Sequence, residues 1–266
     1  MKFKSVKEYV DELQSIGRYS FGKMEVIKNL NLSREAIKSG LRRLVEKGRI
    51  ALIRKGFYVI IPLEYQKSGI IPATWFIDQL MAFLEHPYYV GLLSAAALYG
   101  ASHQQPQEFH VVVKKQIQPI QSHGIRIRFF KKNSLDWKNG INKIKTETGY
   151  IDVSSPELTA LDLMRYNLQA GGMNFVTTVL AELSEQMKAG KLLEAAKGEK
   201  SSVYIQRLGY VLDWLSNEKL TSKLYQWFSS RKSNCTVLVP SLPLKNSFFY
   251  KKWNIFVNKE LELDEL

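Results

Sequence analysis

The sequence contains a single cysteine, Cys235, and no long hydrophobic run. One cysteine excludes an internal disulfide and a zinc site built from four thiolates. The longest apolar run, at residues 88–101, is too short to span a bilayer. The first residues, MKFKSVKEYVDELQS, lack the apolar core of a signal peptide. These absences predict a soluble cytoplasmic protein that does not act at a membrane.

The chain is strongly basic, and its positive charge is concentrated near the beginning. The formal net charge is +13 and the sequence pI is about 9.6. Residues 1–61 contain 14 lysines and arginines against six acidic residues, a net charge of +8, which leaves +5 for the other 205 residues. A basic protein favours a polyanionic partner, either nucleic acid or an acidic protein surface.

Residues 33–48 are predicted to form an amphipathic helix with the sequence SREAIKSGLRRLVEKG. Ser33 is a residue type preferred at the N-cap, and Gly48 is a type preferred just beyond the last turn. Apolar residues at helical spacing predict one buried face. They are Ile37, Leu41, Leu44 and Val45. The opposite face is polar and basic.

The segments on either side of this helix predict a known arrangement. Residues 5–16 read as a first helix, and Ser20 is expected to cap a short second helix. Residues 49–54 and 57–61 predict two strands joined by a tight turn. Helix, helix, turn, helix and hairpin is the order of a winged helix-turn-helix. In that fold the third helix enters the major groove and the hairpin wing lies along the phosphate backbone.

Ten residues are predicted to contact double-stranded DNA in that arrangement. Glu35, Ser39 and Arg42 are expected to reach base edges, because base reading needs polar side chains on the exposed helix face. Cations of the helix and the wing are expected to bind phosphates. The predicted DNA-binding residues are Ser33, Arg34, Glu35, Lys38, Ser39, Arg42, Arg43, Arg49, Arg54 and Lys55. The same fold can also serve as a protein-interaction module, and this alternative stays open.

Beyond the hairpin, the sequence predicts a linker and a larger mixed domain. Residues 63–72 show no clear period and read as the linker. Strands are predicted at residues 108–113, 125–130, 235–240 and 250–257, with two more within 142–154. Helices are predicted at residues 75–84, 155–168, 175–188, 192–197, 202–215 and 220–228. The predicted fold class is α+β, with an N-terminal winged helix-turn-helix at residues 1–62, the linker, and a mixed α/β C-terminal domain at residues 73–266.

A basic strip lies along the predicted strand at residues 125–130 and continues just beyond it. Its cations surround Phe130 and are Arg126, Arg128, Lys131 and Lys132. The strip is a candidate partner-binding surface for nucleic acid or for an acidic patch on a protein. A solvated strand face explains these residues equally well, so the choice stays open.

The residues expected of an enzyme are missing from this sequence. Residues 17–23 have the spacing of a phosphate-binding loop, but Met24 stands where a Ser or Thr should bind magnesium. The histidines show no pair at the spacing of metal ligands. They are His86, His103, His110 and His123. A nucleotidyltransferase needs paired carboxylates that hold two magnesium ions, whereas this chain has a lone Asp152. The sequence therefore predicts a protein that is not an enzyme and uses no cofactor and no metal.

Four stretches resemble a known family. They are residues 54–58 (RKGFY), 88–100 (YYVGLLSAAALYG), 153–162 (VSSPELTALD) and 207–210 (RLGY). In this order they are similar to the wing, the central block, the Pro-Glu-x-Thr-x-x-Asp block and the Arg-Leu-Gly motif of AbiEi-type antitoxins. The stretches occur in the order of the family and are spread over most of the chain, from residue 54 to residue 210.

The resemblance implies the antitoxin of a type IV toxin–antitoxin pair, an abortive-infection system of phage defence. Such a protein also represses its own operon by binding inverted repeats in the promoter through the winged helix-turn-helix. The C-terminal domain counteracts a nucleotidyltransferase-like toxin encoded beside it, and the two proteins need not form a stable complex. The residues alone lead only to DNA binding, so a general transcriptional regulator without antitoxin activity is the alternative.

Overall fold

A computed structural model of the 266-residue chain describes residues 3–101, 106–133 and 139–263. His103, one of the four histidines considered above as metal ligands, lies outside the described residues. The fold is a mixed α+β structure with helices and several sheets. The chain forms two compact units. The first comprises Met1–Tyr89, Gln107–Lys132 and Lys143–Asp152, and the second comprises Val90–Pro106, Asn133–Asn142 and Val153–Leu266.

The elements of the first part of the chain alternate between short helices and strands. The helices are α1 (Val6–Ser15), α2 (Lys23–Asn29), α3 (Arg34–Glu46), α4 (Ile77–Phe83) and α5 (Leu92–Leu98). The strands are β1 (Ser20–Gly22), β2 (Ile50–Arg54), β3 (Phe57–Ile60), β4 (Tyr88–Val90), β5 (Phe109–Val113), β6 (Ile120–Ser122), β7 (Ile125–Lys131), β8 (Ile141–Thr146) and β9 (Gly149–Ser154). Short 3-10 helices lie at Leu63–Tyr65 and Ala73–Trp75.

The second part of the chain is largely helical and ends in a small sheet. Its helices are α6 (Pro156–Arg165), α7 (Met173–Ser184), α8 (Ala189–Gly198), α9 (Ser202–Trp214) and α10 (Glu218–Ser229). The final strands are β10 (Thr236–Val237), β11 (Phe248–Tyr250) and β12 (Ile255–Val257), with a 3-10 helix at Lys251–Trp253. The strand predicted at residues 250–257 is thus two strands separated by a helical turn. Asn254 ends that turn in the left-handed conformation, at φ 50°.

In the first unit, α1, α2 and α3 pack with a three-stranded antiparallel sheet of order β1-β3-β2. The prediction that Ser20 caps the second helix is wrong. Ser20 lies in β1, where it pairs with Val59 of β3, and Gly22 is the N-cap of α2. Three residues are too few to show a strand period, so only the pairing with β3 reveals β1. The helices and sheet share one apolar core that includes Val10, Phe21 and other buried side chains.

Residues just beyond the hairpin pack against these elements. The Trp75 ring lies 5.0 Å from the Tyr19 ring and 5.3 Å from the Tyr65 ring, measured between centroids. Phe83 of α4 packs on Phe57 of β3 at 5.3 Å. Residues 63–72, predicted as a linker, therefore lie within the first compact unit. The domain boundaries at residues 62 and 72 stay a prediction.

A six-stranded sheet follows, with the order β6-β7-β5-β4-β9-β8. β5 and β7 run parallel, while β6 and β7 form an antiparallel hairpin. The turn of that hairpin needs two positive φ angles, which His123 and Gly124 supply at 47° and 81°. The strand predicted at residues 125–130 is confirmed as β7, whereas β6 is too short to be seen in the sequence.

In the second unit, α6 begins with the cap expected from the sequence. The Ser155 hydroxyl accepts the backbone N–H of Leu158 at 3.3 Å, and Pro156 occupies the first turn. Glu157 is 1% exposed, and its carboxylate accepts the N–H of Lys188 at 2.8 Å. Because Lys188 is the N-cap of α8, this contact joins the start of α6 to the start of α8.

A close approach between α9 and Trp253 fixes the C-terminal sheet in the second unit. A Cβ atom placed on Gly209 would lie 2.4 Å from two atoms of the Trp253 ring, so only glycine fits there. Trp253 is fully buried, and its indole N–H donates to Asp213 at 2.6 Å. Arg207 of α9 donates to the carbonyl oxygen of Val237 at 3.0 Å. The Arg-Leu-Gly motif therefore holds the terminal strands on α9.

Candidate nucleic-acid interface

The helix predicted at residues 33–48 is α3, and both its cap and its buried face are as expected. The Ser33 hydroxyl accepts the backbone N–H of Ala36 at 3.1 Å. This bond satisfies one of the amide groups that the first turn leaves without a helical partner. Ile37, Leu41 and Leu44 are buried, with relative exposures of 7% or less, and Val45 is half-buried.

A glycine sets the distance between α3 and α1. A Cβ atom on Gly40 would lie 2.8 Å from the Val6 side chain, which is closer than side chains normally approach. The two helices therefore pack tightly along this side of α3. Since α1 and the core cover one side, the other side of the helix is left to solvent.

That other side carries six of the ten residues predicted to contact DNA. They are Arg34, Glu35, Lys38, Ser39, Arg42 and Arg43, and all six are exposed. Arg42 has one ionic contact within the helix, with Glu46 at 3.6 Å. Its side chain is 73% exposed and that of Glu46 is 61% exposed, so solvent screens the pair and it contributes little to stability. Arg42 can therefore leave Glu46 and bind another partner with little loss of free energy.

Arg49, predicted as a phosphate ligand of the wing, is used inside the protein. Its guanidinium donates to the Asp11 carboxylate at 2.9 Å and to the Gln14 side chain at 3.0 Å, both on α1. A third bond reaches the carbonyl oxygen of Ile61 at 3.3 Å. The Arg49 side chain is only 22% exposed. These contacts join α1 to the end of the hairpin, a role that sequence reasoning missed because the partners lie more than ten residues away along the chain.

The hairpin of β2 and β3 is supported by β6. The Ser122 hydroxyl donates to the carbonyl oxygen of Leu52 at 2.8 Å, and Arg54 donates to the carbonyl oxygen of Gln118 at 3.4 Å. Lys55 is exposed at the turn, and Gly56 beside it has a φ of 85°. The hairpin thus presents Lys55 to solvent, whereas Arg54 is held by one long bond to Gln118.

An ion pair fixes α2 beside α1 in the same unit. Glu25 accepts two bonds from the Arg18 guanidinium, at 2.5 and 2.6 Å, and one from the Tyr9 hydroxyl at 2.5 Å. Burial alone would raise the pKa of Glu25, but the bonds from Arg18 and Tyr9 outweigh it and lower the pKa of this carboxyl below its usual value. The same burial and the Glu25 carboxylate raise the pKa of Tyr9. This network holds the helix that precedes α3.

The basic strip at residues 126–132 is not one continuous exposed surface. Arg126 and Lys131 are exposed, whereas Lys132 is 6% exposed. Arg128 pairs with Glu108 at 3.4 Å and lies over the Phe130 ring at 5.3 Å. A partner-binding role for these residues stays a prediction.

The Phe130 ring is itself part of the interior. It is 5% exposed and contacts the His110 ring, with 5.0 Å between the centroids. Burial, together with the nearby Arg128, lowers the pKa of His110 to about 4. Phe130 is therefore not an aromatic residue that the strip presents to a ligand.

An open pocket of about 470 Å³ lies at the β6–β7 hairpin. Its lining is polar and consists of Gln107, Gln121, Ser122, His123, Gly124 and Arg126. One of these residues, Ser122, also donates a hydrogen bond to Leu52 of β2. Sequence reasoning missed this contact because β6 itself was missed. Within the described ranges, no group of three or more His, Cys, Asp and Glu residues can hold a metal ion.

Residues 89–214 match the family model described as the AbiEi antitoxin C-terminal domain. We call residues 89–214 the AbiEi domain after this match. This match confirms the resemblance to AbiEi-type antitoxins, and it supports an antitoxin role in a toxin–antitoxin system. Most of the residues that carried the resemblance lie inside the AbiEi domain, including the blocks at 153–162 and 207–210. Residues 1–88, which include α3 and the β2–β3 hairpin, lie outside it.

The structure gives these AbiEi blocks a mainly architectural role. The Ser154 and Thr159 hydroxyls lie 2.6 Å apart and are both fully buried. Glu157 binds the start of α8, and Arg207 and Gly209 hold the terminal strands. These residues stabilise the AbiEi domain from within and do not form an exposed surface for a partner.

A solved structure shares the fold of the whole chain. The crystal structure of the RV2827C protein from Mycobacterium tuberculosis is similar with a TM-score of 0.69 and 14% sequence identity. The match covers 97% of this chain and 92% of that one. At this identity the likeness shows the fold alone. No curated protein sequence matches the chain. Among the described residues, no helix is long and apolar enough to cross a membrane.

Proposed function

We propose that the chain is the antitoxin of a type IV toxin–antitoxin system and represses its own operon by binding promoter DNA. In this proposal, residues 1–62 form a winged helix-turn-helix and the AbiEi domain acts against the toxin. The AbiEi match supports the antitoxin part. The DNA-binding part has its own support in the N-terminal elements.

The observation that carries DNA binding is the exposed face of α3. The helix buries its apolar side on α1 and the core, and it presents Ser39 and Arg42 between further cations. Arginine can bind guanine at two positions in the major groove, and a serine hydroxyl can bind several bases. Residues 1–61 carry a net charge of +8, which favours a polyanion.

The wing adds phosphate contacts in this proposal. Lys55 is exposed at the hairpin turn, and Arg54 is held by a single bond of 3.4 Å that phosphate can replace. Arg49 is proposed to support the wing and not to bind phosphate, because its guanidinium already has three partners. The proposed phosphate ligands of α3 are Arg34, Lys38 and Arg43.

A mobility-shift assay on the DNA immediately upstream of the gene tests this proposal. If the protein neutralises about six phosphates, the logarithm of the binding constant falls against the logarithm of salt concentration with a slope of about −5. The wild-type chain should repress a reporter gene driven by the same DNA. The Arg42→Ala variant should fail to repress it. Equal binding of upstream and random duplexes would reject the repressor role and leave a protein-interaction module or another regulator as the alternative.

The proposed partner of the AbiEi domain is a nucleotidyltransferase-like toxin encoded beside the antitoxin gene. Both proteins would act in the cytoplasm, and neutralisation need not involve a stable complex. Co-expression of the neighbouring gene with the full-length chain measures the protection directly. Because toxin neutralisation is assigned to the AbiEi domain, Arg42→Ala should still restore growth. Failure of the wild-type chain to restore growth would contradict the antitoxin role.

A further inference from the structure

The end of the chain is a second basic region, separate from α3 and the wing. Residues 219–259 contain eight lysines and arginines and no acidic residue. This charge exceeds the +5 carried by all 205 residues after position 61, so the rest of that part of the chain is slightly acidic. The region lies beyond residue 214, where the match to the AbiEi model ends.

The fold gathers four of these cations around one pocket in the second unit. Arg231 and Lys232 follow α10, while Lys251 and Lys252 lie in the 3-10 helix after β11. The pocket is open and has a volume of about 510 Å³. Its remaining lining is Tyr225, Phe228, Ser229, Ser233 and Asn254. We call this site the C-terminal cationic pocket.

Only one of the four cations is neutralised within the described part of the chain. Lys252 pairs with Asp213 at 2.8 Å. Arg231, Lys232 and Lys251 are exposed and form no ion pair with the acidic residues that the structure describes. Three positive charges around one concave surface repel one another, and an anionic ligand relieves that repulsion.

Aromatic rings accompany the cations. The Arg231 guanidinium lies 4.7 Å from the centre of the Trp227 ring, and the Lys252 ammonium lies 5.5 Å from that of Tyr225. Tyr225 and Trp227 are both half-buried, so part of each ring stays accessible. Single-stranded nucleic acids are bound by this combination, because cations follow the phosphates while bases stack on aromatic rings or on arginine.

We propose that the C-terminal cationic pocket binds single-stranded nucleic acid. Phosphates bind Arg231, Lys232 and Lys251, and an adjacent base stacks on the Arg231–Trp227 pair or on Tyr225. The open shape of the pocket lets a strand enter and leave, as a polymer requires. A duplex hides the faces of its bases and gains only the phosphate contacts. This binding is distinct from the recognition of duplex DNA proposed for α3.

The test is fluorescence anisotropy of the full-length protein with a labelled 12-nucleotide single strand, as uridine and as thymidine oligomers. An unrelated 12-base-pair duplex is the second probe. Each lost contact between a cation and a single strand lowers affinity about fivefold at 0.1 M salt, from a salt slope of about −0.7 per contact. Arg231→Glu combined with Lys232→Glu should therefore weaken single-strand binding by about 25-fold or more.

A variant with the same change of charge serves as the control. Lys219→Glu combined with Lys223→Glu alters two exposed lysines of α10 that do not line the pocket. This control should change single-strand affinity less than threefold. Circular dichroism spectra and melting temperatures of both variants establish that they fold. Arg42→Ala should leave single-strand binding unchanged, which separates this proposal from that for α3.

Three results would overturn the proposal. Equal losses in the pocket variant and the control would show that diffuse charge, not the pocket, attracts the strand. Binding of the duplex as tightly as the single strand, with the same sensitivity to Arg231→Glu and Lys232→Glu, would show that the pocket does not read unpaired bases. Absence of any binding at 50 mM salt would likewise reject it.

Discussion

Replacement of Gly209 by alanine should destabilise the second unit, although alanine favours helices. The new Cβ atom would lie 2.4 Å from the Trp253 ring, so the ring or α9 must move by more than 1 Å to reach van der Waals contact. Trp253 cannot move freely, because its indole N–H donates to Asp213 and the Phe228 and Tyr225 rings pack on it at 5.5 and 5.6 Å. Overpacking of this kind costs about 1–3 kcal/mol, and the upper half of that range suits a pinned ring.

The gain in helix propensity offsets part of this cost. Glycine to alanine in a helix interior contributes about 1 kcal/mol of stability, which leaves a net loss of about 1–2 kcal/mol. For a protein of this size the loss corresponds to a fall in melting temperature of roughly 3–6 °C. Thermal unfolding followed by circular dichroism and by tryptophan fluorescence measures it.

Gly190→Ala is the matched control for this prediction. Gly190 also lies in a helix, α8, but a Cβ atom there meets nothing within 4 Å. The control should be neutral or more stable than wild type by up to about 1 kcal/mol. In a Trp253→Leu background, Gly209→Ala should cost less, because the bulky ring is gone. A Gly209→Ala protein that melts at or above the wild-type temperature would show that Trp253 does not resist a Cβ atom at this position.

Two further predictions concern the N-terminal elements. The Glu25 carboxyl has a lowered pKa in the folded protein, so its contribution to stability is present above its unfolded value near 4.5 and is lost as pH falls through the folded value. The melting temperatures of wild type and Glu25→Gln should therefore differ at pH 7 and converge as the pH falls below 4.5. A difference that stays constant with pH would contradict this. Ser33→Ala removes the bond to the Ala36 amide and should cost about 1 kcal/mol, whereas Ser33→Asp, which can still accept that bond, should restore the melting temperature.

Local signals in the sequence are sufficient to predict α3. Its cap, its apolar period and its terminal glycine all lie within sixteen residues, and the observed helix, Arg34–Glu46, agrees with them. The start of α6 is predicted for the same reason, because Ser155 and Pro156 are adjacent to it. Where a feature depends on neighbours in sequence, single-sequence reasoning succeeds.

Features that depend on distant partners could not be predicted. β1 exists because Ser20 and its neighbours pair with β3, nearly forty residues later. Arg49 looks like a free wing cation until the fold brings Asp11 to it. The C-terminal cationic pocket likewise combines Arg231 and Lys251 from segments twenty residues apart, and no local period shows that they meet.

The candidate interface could be predicted only in part, because it too depends on residues that are distant in sequence. Helical periodicity predicts which residues of α3 face outward, and the structure agrees for Ser39 and Arg42. The sequence contains no measure of burial for Lys132, which belongs to the predicted basic strip but is only 6% exposed. Ionic partners and burial are properties of the tertiary fold, so cations cannot be sorted into internal and ligand-binding ones from one sequence.

The most direct test of the account is the affinity of wild type and Arg42→Ala for two duplexes, the upstream DNA and a shuffled duplex of equal length and composition. Wild type should prefer the upstream duplex by about 10³-fold or more. Loss of one arginine–base contact should weaken upstream binding by about 1–3 kcal/mol, while binding to the shuffled duplex changes far less. If Arg42→Ala lowers both affinities by the same factor, or leaves both unchanged, α3 does not read the operator through Arg42 and the proposed role of this helix is wrong.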